Sequence, residues 1–145
     1  MTLPVPRAEV FEFFAEAQNL ERIMPRALRF KILTPLPITI EQGALIEYSM
    51  SLHGASFRWL TKITCWNPPY EFVDEQLSGP YKMWIHRHFF EEQDGATTIK
   101  DEVRYHLPLW PFGEITYPVV RWQIGKIFHF RQEAVRRFFA RKHDR

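Results

Sequence analysis

Apolar and polar positions divide the chain into a helical opening, a long stretch of strands and a helical end. Between Pro6 and Ala17, Val10, Phe11, Phe13 and Phe14 recur at helical spacing while Glu9, Glu12 and Glu16 fall on the other side, the pattern of an amphipathic helix. Pro6 suits its first turn. Asn19 stands where it caps a second short helix, Leu20 to Met24, which Pro25 ends. The period then changes to two. Leu28 to Leu33, Ala44 to Leu52, Phe57 to Trp66, Tyr70 to Leu77, the run after Gly79 up to Phe90, and Thr97 to Leu107 all read as strands. Pro35, Pro37 and Gly43, then His53-Gly54, Asn67-Pro-Pro69, Ser78-Gly-Pro80 and Gln93-Asp-Gly-Ala96 punctuate them as turns, the last of the Asp-Gly kind that accepts positive φ. Regular strands and short turns predict an antiparallel meander. Pro108-Leu-Trp-Pro111 ends the sheet. After Gly113 and Pro118 comes the longest helical pattern, Val119 to Arg141. Val120, Ile124, Ile127, Phe128, Ala134, Val135, Phe138 and Phe139 share one broad side of it, with Arg131 inside that side. Gly125 lies on the other side, where it costs about 1 kcal/mol relative to Ala and permits a bend.

The stretch Gly79-Pro-Tyr-Lys-Met-Trp-Ile-His-Arg-His-Phe-Phe90 carries the most information. Alternation puts Trp84, His86, His88 and Phe90 on one face and Tyr81, Met83, Ile85, Arg87 and Phe89 on the other. A mixed aromatic and polar face suits a cavity wall better than a dry interface. Alternation leaves open which face looks inward, since that depends on sheet curvature and bulges. A single long amphipathic helix is the natural cover for an antiparallel sheet, and the two short helices close one end. The predicted class is α+β, a helix-grip: a curved antiparallel sheet around a long C-terminal helix, with an apolar space holding a few polar groups. With 145 residues and no repeat or linker, one domain spanning 1–145 is expected.

Composition narrows the picture. Aromatic residues make up 16% of the chain, with 13 Phe and 5 Trp, enough to wall a core or pocket. A net charge of +2 gives no basic stripe for nucleic acid, and the basic end (Arg136, Arg137, Arg141, Lys142, Arg145) reads as a solvated helix C-terminus. The lone Cys65 excludes an internal disulfide framework and reads as a buried structural thiol in a reducing compartment. No apolar run reaches the roughly 20 residues of a membrane helix, and the first residues lack a signal core, so a cytoplasmic protein is expected.

The segments Pro6-Arg-Ala-Glu-Val-Phe-Glu-Phe-Phe14, Asn19-Leu-Glu-Arg-Ile-Met-Pro25, Asn67-Pro-Pro-Tyr-Glu-Phe-Val-Asp-Glu-Gln76, Gly79 to Phe90, Asp101-Glu-Val-Arg-Tyr-His-Leu-Pro108 and Ile127-Phe-His-Phe-Arg131, in this order over nearly the whole chain, resemble the START-like, or SRPBCC, superfamily. Its helix-grip fold is also that of Bet v 1-like and polyketide cyclase/dehydrase-like proteins. The resemblance implies a strand before the first helix. Here only about five residues precede Pro6, Pro4 among them, so that strand is expected to be missing or truncated and its neighbour to have an open edge, which also admits a homodimer.

His86 and His88 are the sharpest chemical candidates. A His-x-His pair on a strand points both imidazoles to one side. With a carboxylate from Glu75, Asp74 or Asp101 this is a ligand pattern, but spacing alone is weak. The pair reads first as pocket-lining, and no metal or cofactor is expected. Asp74 and Asp101 lie in otherwise apolar strands and need partners, for which Arg58, Arg87, Arg104 and Arg131 are the candidates. Arg131, among apolar helix positions, either bridges to the sheet or meets an acidic ligand head group. Trp59, Trp84, Trp110 and Trp122, with Tyr48, Tyr81 and Tyr105, read as core, which in this fold doubles as pocket wall. The expected function is a binding or carrier domain for a small hydrophobic or amphipathic ligand, bound by Tyr48, Trp59, Trp84, His86, His88, Ile127, Phe128 and Arg131. A cyclase/dehydratase-type enzyme using His86 or His88 for acid–base chemistry and a protein-interaction or chaperone-like module are the alternatives.

Overall fold

The computed structural model describes residues 1–52, 54–109 and 112–143, the side chains of Phe112 and Glu114 excepted. His53 of the expected turn, Trp110 and Pro111 after the sheet, and Arg145 of the basic end lie outside the described residues. Seven strands form one antiparallel sheet: β1 (Thr2–Leu3), β2 (Lys31–Ile32), β3 (Leu45–Leu52), β4 (Ala55–Asn67), β5 (Glu71–Ser78), β6 (Met83–Gln93) and β7 (Ala96–His106). Their spatial order is β1-β7-β6-β5-β4-β3-β2. Strands β3 to β7 are the predicted meander. Asp94 and Gly95 both take positive φ, 53° and 76°, the backbone that a tight β6–β7 hairpin needs. Register shifts between β4 and β5 at Leu60/Thr61 and Ile63/Cys65 add local bend and twist to the sheet. Cys65 beside the second shift is free and half-buried, not buried.

The helices are α1 (Arg7–Ala15), α2 (Ala17–Ile23) and α3 (Phe112–His143). Predicted to start at Val119, α3 already runs through Pro118 in its second turn. The proline forfeits one intrahelical hydrogen bond, which a 32-residue helix absorbs. Gly113 is required near its start, because a Cβ there would run into the Pro108 carbonyl oxygen. The last turn of α3 is tied to α1 by Lys142 Nζ and Glu9 Oε1 at 2.7 Å. Among the described residues no helix is long and apolar enough to cross a membrane.

The strand expected before α1 is present but short. Thr2 and Leu3 pair with Thr98 and Thr97, the Ile99 amide donates to Met1 O at 2.7 Å, and Pro4 then ends the pairing. From Lys100 onward no further strand covers β7 among the described residues. Lys100, Glu102, Arg104 and His106 alternate along that edge, a charge pattern that discourages strand addition. At the opposite edge, Leu28 to Leu33 is only partly strand. Residues Arg26–Leu28 make a 3₁₀ turn, Arg29 takes φ 44°, and only Lys31–Ile32 pair. On the outer edge of β2 the Ile32 amide donates to Glu21 Oε1 of α2 at 2.7 Å.

Buried side chains form two aromatic clusters. One joins α1, the sheet and α3 through Val10, Phe11, Phe13, Phe72, Phe90, Val135 and Phe139. The other holds Ile46, Tyr48, Met50 and Trp59, with Phe30, Tyr81 and Trp84 packed against it. Asn19 does not cap α2 but sits inside it, 4% exposed. Its Nδ2 donates to Phe13 O at 2.9 Å, and its Oδ1 accepts from Arg22 Nη1 at 2.9 Å, closing the α1–α2 corner. Asn19→Asp keeps a good capping residue but loses the donor to a buried carbonyl. Urea unfolding is expected to show a loss of about 1–3 kcal/mol, whereas an N-cap role would leave stability nearly unchanged.

Candidate functional site

The concave side of the sheet is set by β6, where His86, His88 and Phe90 are buried and Arg87 is exposed. The face carrying Trp84, His86, His88 and Phe90 therefore looks inward. Tyr81, expected on the opposite face, lies before β6 begins and turns inward onto Trp84 and Trp59, with ring centroids at 4.9 and 5.5 Å. Gln76 holds it there, its Nε2 donating to Tyr81 O at 2.6 Å and its Oε1 accepting from Tyr81 N at 3.2 Å. Gly79 allows this, since a Cβ would strike the Gln76 side chain.

Cross-strand register brings four polar side chains together on this face. Asp74 of β5 stands opposite His86, and Asp101 of β7 stands opposite His88. His86 Nε2 is 2.8 Å from Asp101 Oδ1, His88 Nε2 3.0 Å from Asp74 Oδ2, His88 Nδ1 3.1 Å from Asp101 Oδ1, and His86 Nδ1 3.5 Å from Asp74 Oδ2. The imidazoles are 5% and 4% exposed and the carboxylates 17% and 21%. Asp101 keeps its backbone on the uncovered edge of β7 while its carboxylate points into the quartet. The partners of these aspartates are therefore the histidines and not the arginines expected from sequence. Arg58 pairs with Glu47, Arg87 with Glu71 and Arg104 with Glu102. Glu75, on the outer side, accepts from Thr64 Oγ1 at 3.1 Å and takes no part.

The quartet distributes protons unevenly. Burial and repulsion from His88 push His86 down to about 4, against the pull of Asp101 and Asp74. Burial also opposes charge on His88, but the nearby Asp101 and Asp74 carboxylates prevail and raise it. Burial raises both carboxyls, yet the imidazole partners outweigh it and hold Asp74 and Asp101 low, with Arg131 adding to the effect on Asp74. A cationic His88 and a neutral His86 offer three N–H groups for four close approaches, so the longest, at His86 Nδ1, is the one without a proton. His88 Nδ1, though 3.1 Å from Asp101, is aimed off the oxygen and has no hydrogen bond.

Around the quartet lies a cavity of about 150 Å³ between sheet and α3. Tyr48, Trp59, Trp84, His86, His88, Ile127, Phe128 and Arg131, all candidates from sequence, line it, together with Asp74, Tyr81, Met50, Thr61 and Ile124. Phe72 stacks on His88 at 4.1 Å and Phe128 meets the His86 ring edge-on at 5.2 Å, which keeps water from the imidazoles. Arg131 lies over the Phe128 ring at 5.1 Å and makes no salt bridge among the described residues, so the expected bridge to the sheet is not formed. Trp122, expected in the core, is 61% exposed, with Lys126 Nζ 3.9 Å from its ring, and Trp110 lies outside the described residues. Sequence reasoning missed the pairing of Asp74 and Asp101 with the histidines. The signal was present in the adjoining strands, but reading it needs the register.

The sign of the pH dependence follows from these shifts. His88, raised above 6.5, stabilises fully below that pH and loses its contribution as pH rises through its folded value. His86, lowered to about 4, costs stability as pH falls from 6.5 toward 4, and the lowered carboxyls extend the loss below their ordinary 3.8. Urea unfolding of chelator-treated protein is expected to peak near pH 6.5. Its acid limb is expected to approach about 1.4 kcal/mol per pH unit, and His88→Gln to flatten the alkaline limb.

No protein-family model matches the chain, and no curated protein matches it significantly. Solved structures do. TTHA0849 from Thermus thermophilus superposes with a TM-score of 0.76 at 12% identity, covering 94% of this chain and 91% of that one. Ms6760 from Mycobacterium smegmatis gives 0.71 at 16%, over 99% and 89%, and Ara h 8.0201 gives 0.63 at 18%, over 93% of each. At such identities likeness establishes the fold alone, and it agrees with the architecture read from the strands and the closing helix: the chain has a helix-grip fold.

Proposed function

We propose that this domain binds a small amphipathic molecule, with an apolar body and an acidic or otherwise acceptor-rich head, in the cavity between sheet and α3. The observation that carries this reading is the wall itself: aliphatic and aromatic almost throughout, with its free polar groups acting as donors. Trp59 Nε1 is buried without a hydrogen-bond partner, burial holds the Tyr48 hydroxyl well above its usual range and so protonated, and Arg131 brings a cation with no bridge among the described residues. Oxygen acceptors on a ligand complement all three. A volume of about 150 Å³ matches one aromatic ring or a short acyl chain, below the 300–1,000 Å³ typical of drug-sized ligand sites. A ligand of about ten heavy atoms reaches micromolar affinity at about 0.8 kcal/mol per atom, within the known ceiling. The reading takes the protein as cytoplasmic, consistent with its free Cys65.

One feature favours a second reading. Imidazoles hydrogen-bonded to carboxylates on a cavity wall are the groups that move protons on a bound substrate, as a cyclase or dehydratase requires. Turnover that disappears in His86→Ala while binding persists is the result that would select it.

Native mass spectrometry of protein purified from its own host, before and after denaturation, tests the binding reading, which expects an excess mass that is released on unfolding. With added ligands, small aromatic or short-chain carboxylic acids are expected to raise Tm, and Ile127→Trp, which fills the cavity, to abolish the shift. Arg131→Ala is expected to weaken the acid by about ten- to a hundredfold, the worth of a charged hydrogen bond, and to leave the matching methyl ester nearly unaffected. Absence of bound mass together with no Tm shift from acid or ester would overturn the proposal.

A further inference from the structure

We propose that Asp74, His86 and His88 form a binding site for a divalent transition metal on the cavity side of the quartet, with Asp101 behind both imidazoles and hydrogen-bonded to that of His86. The arrangement of atoms is the argument. Asp74 Oδ2 lies 3.5 Å from His86 Nδ1 and 3.0 Å from His88 Nε2. Asp101 Oδ1 lies against the opposite nitrogen of each ring, 2.8 Å from His86 Nε2 and 3.1 Å from His88 Nδ1. One carboxylate thus faces one nitrogen of each imidazole and the second carboxylate faces the other. This is the layout in which one set of atoms ligates and an outer carboxylate fixes the ring orientation.

Spacing and burial agree. Ligand atoms about 2.0–2.1 Å from a tetrahedral ion lie about 3.3 Å apart, between the two distances above, and donor atoms of Asp74, His86 and His88 all fall within 4.8 Å of one another. Asp74, His86 and His88 line the cavity, and Asp101 does not, so the coordination position left open faces the bound molecule. Both imidazoles are 5% exposed or less, and His86 Nε2 is already held by Asp101 at 2.8 Å. Two imidazoles and one carboxylate suit Zn²⁺ and its neighbours and disfavour Mg²⁺ or Ca²⁺, which take oxygen ligands. Two carboxylates balance the charge of a divalent ion in a buried setting. The inference is independent of the apolar-ligand reading, because these side chains hold an ion whether or not an organic molecule fills the cavity.

The test uses the full chain, stripped with chelator, and Zn²⁺ or Co²⁺ alone as the probe. Calorimetry is expected to give one Zn²⁺ per chain with Kd of about 1 μM or below, and Co²⁺ to give the visible bands of a four- or five-coordinate nitrogen-oxygen site. His86→Ala and His88→Ala are each expected to weaken binding by more than about a hundredfold. Asp101→Asn is expected to weaken it by about ten- to a hundredfold with the Co²⁺ spectrum kept, and exposed His129→Ala to change nothing. Wild-type affinity no higher than that of the His86→Ala/His88→Ala double variant would overturn the proposal. Where a variant fails to fold, X-ray absorption of the Zn²⁺-loaded wild type decides: two imidazole nitrogens and a carboxylate oxygen in the shell support the site, and any other shell rejects it.

Discussion

Two buried imidazoles paired with two partly buried carboxylates on the inner face of the sheet are the constraint around which the rest is arranged. Charges out of water are tolerated only when paired, and removing one partner from such a set typically costs about 3–5 kcal/mol. Pairing here depends on register, Asp74 opposite His86 and Asp101 opposite His88. A slip of one residue in β6 would turn both imidazoles to solvent and leave both carboxylates unpaired. The quartet thus rewards one alignment of three strands over its neighbours, which a greasy face alone would do less sharply.

The surrounding packing makes these interactions strong. Phe72 on one side and Phe128 on the other exclude water from the imidazoles, lowering the local dielectric and enlarging every electrostatic effect among them. Low dielectric explains why two chemically identical side chains two residues apart shift in opposite directions. His88, close to both carboxylates, keeps the proton, and a second cation beside it on His86 is disfavoured. Arg131 lines the cavity from α3 and its charge adds to the effect that holds Asp74 low, while Phe13 against Phe138 and Phe139 packs α1 onto α3.

Much of this was legible in the chain. Alternation located strands β3 to β7, the Asp94-Gly95 turn and the shared face of Trp84, His86, His88 and Phe90, because each depends on neighbours in sequence. What was not legible depends on neighbours in space. Asp74 and Asp101 looked like carboxylates in need of an arginine, since nothing local says which residue stands across the ladder. Asn19 looked like a cap because it stands just before Leu20 to Met24, whereas its side chain satisfies the Phe13 carbonyl of the preceding helix, a contact decided by the α1–α2 corner. Leu28 to Leu33 alternates like a strand, but the 3₁₀ turn at Arg26–Leu28 and the left-handed backbone of Arg29 leave only Lys31–Ile32 to pair. Tyr81 defied alternation because Gln76 brackets the turn before β6 starts.

The quartet's protonation pattern is the point on which the account is most exposed. Nitrogen-15 correlation spectra of the imidazole rings at neutral pH, in chelator-treated protein with the two residues assigned by substitution, read it directly. The account predicts His88 with both nitrogens protonated and His86 neutral with its proton on Nε2, neither changing between about pH 5 and 6.5. Two neutral rings, or two rings titrating together near 6.5, would contradict it.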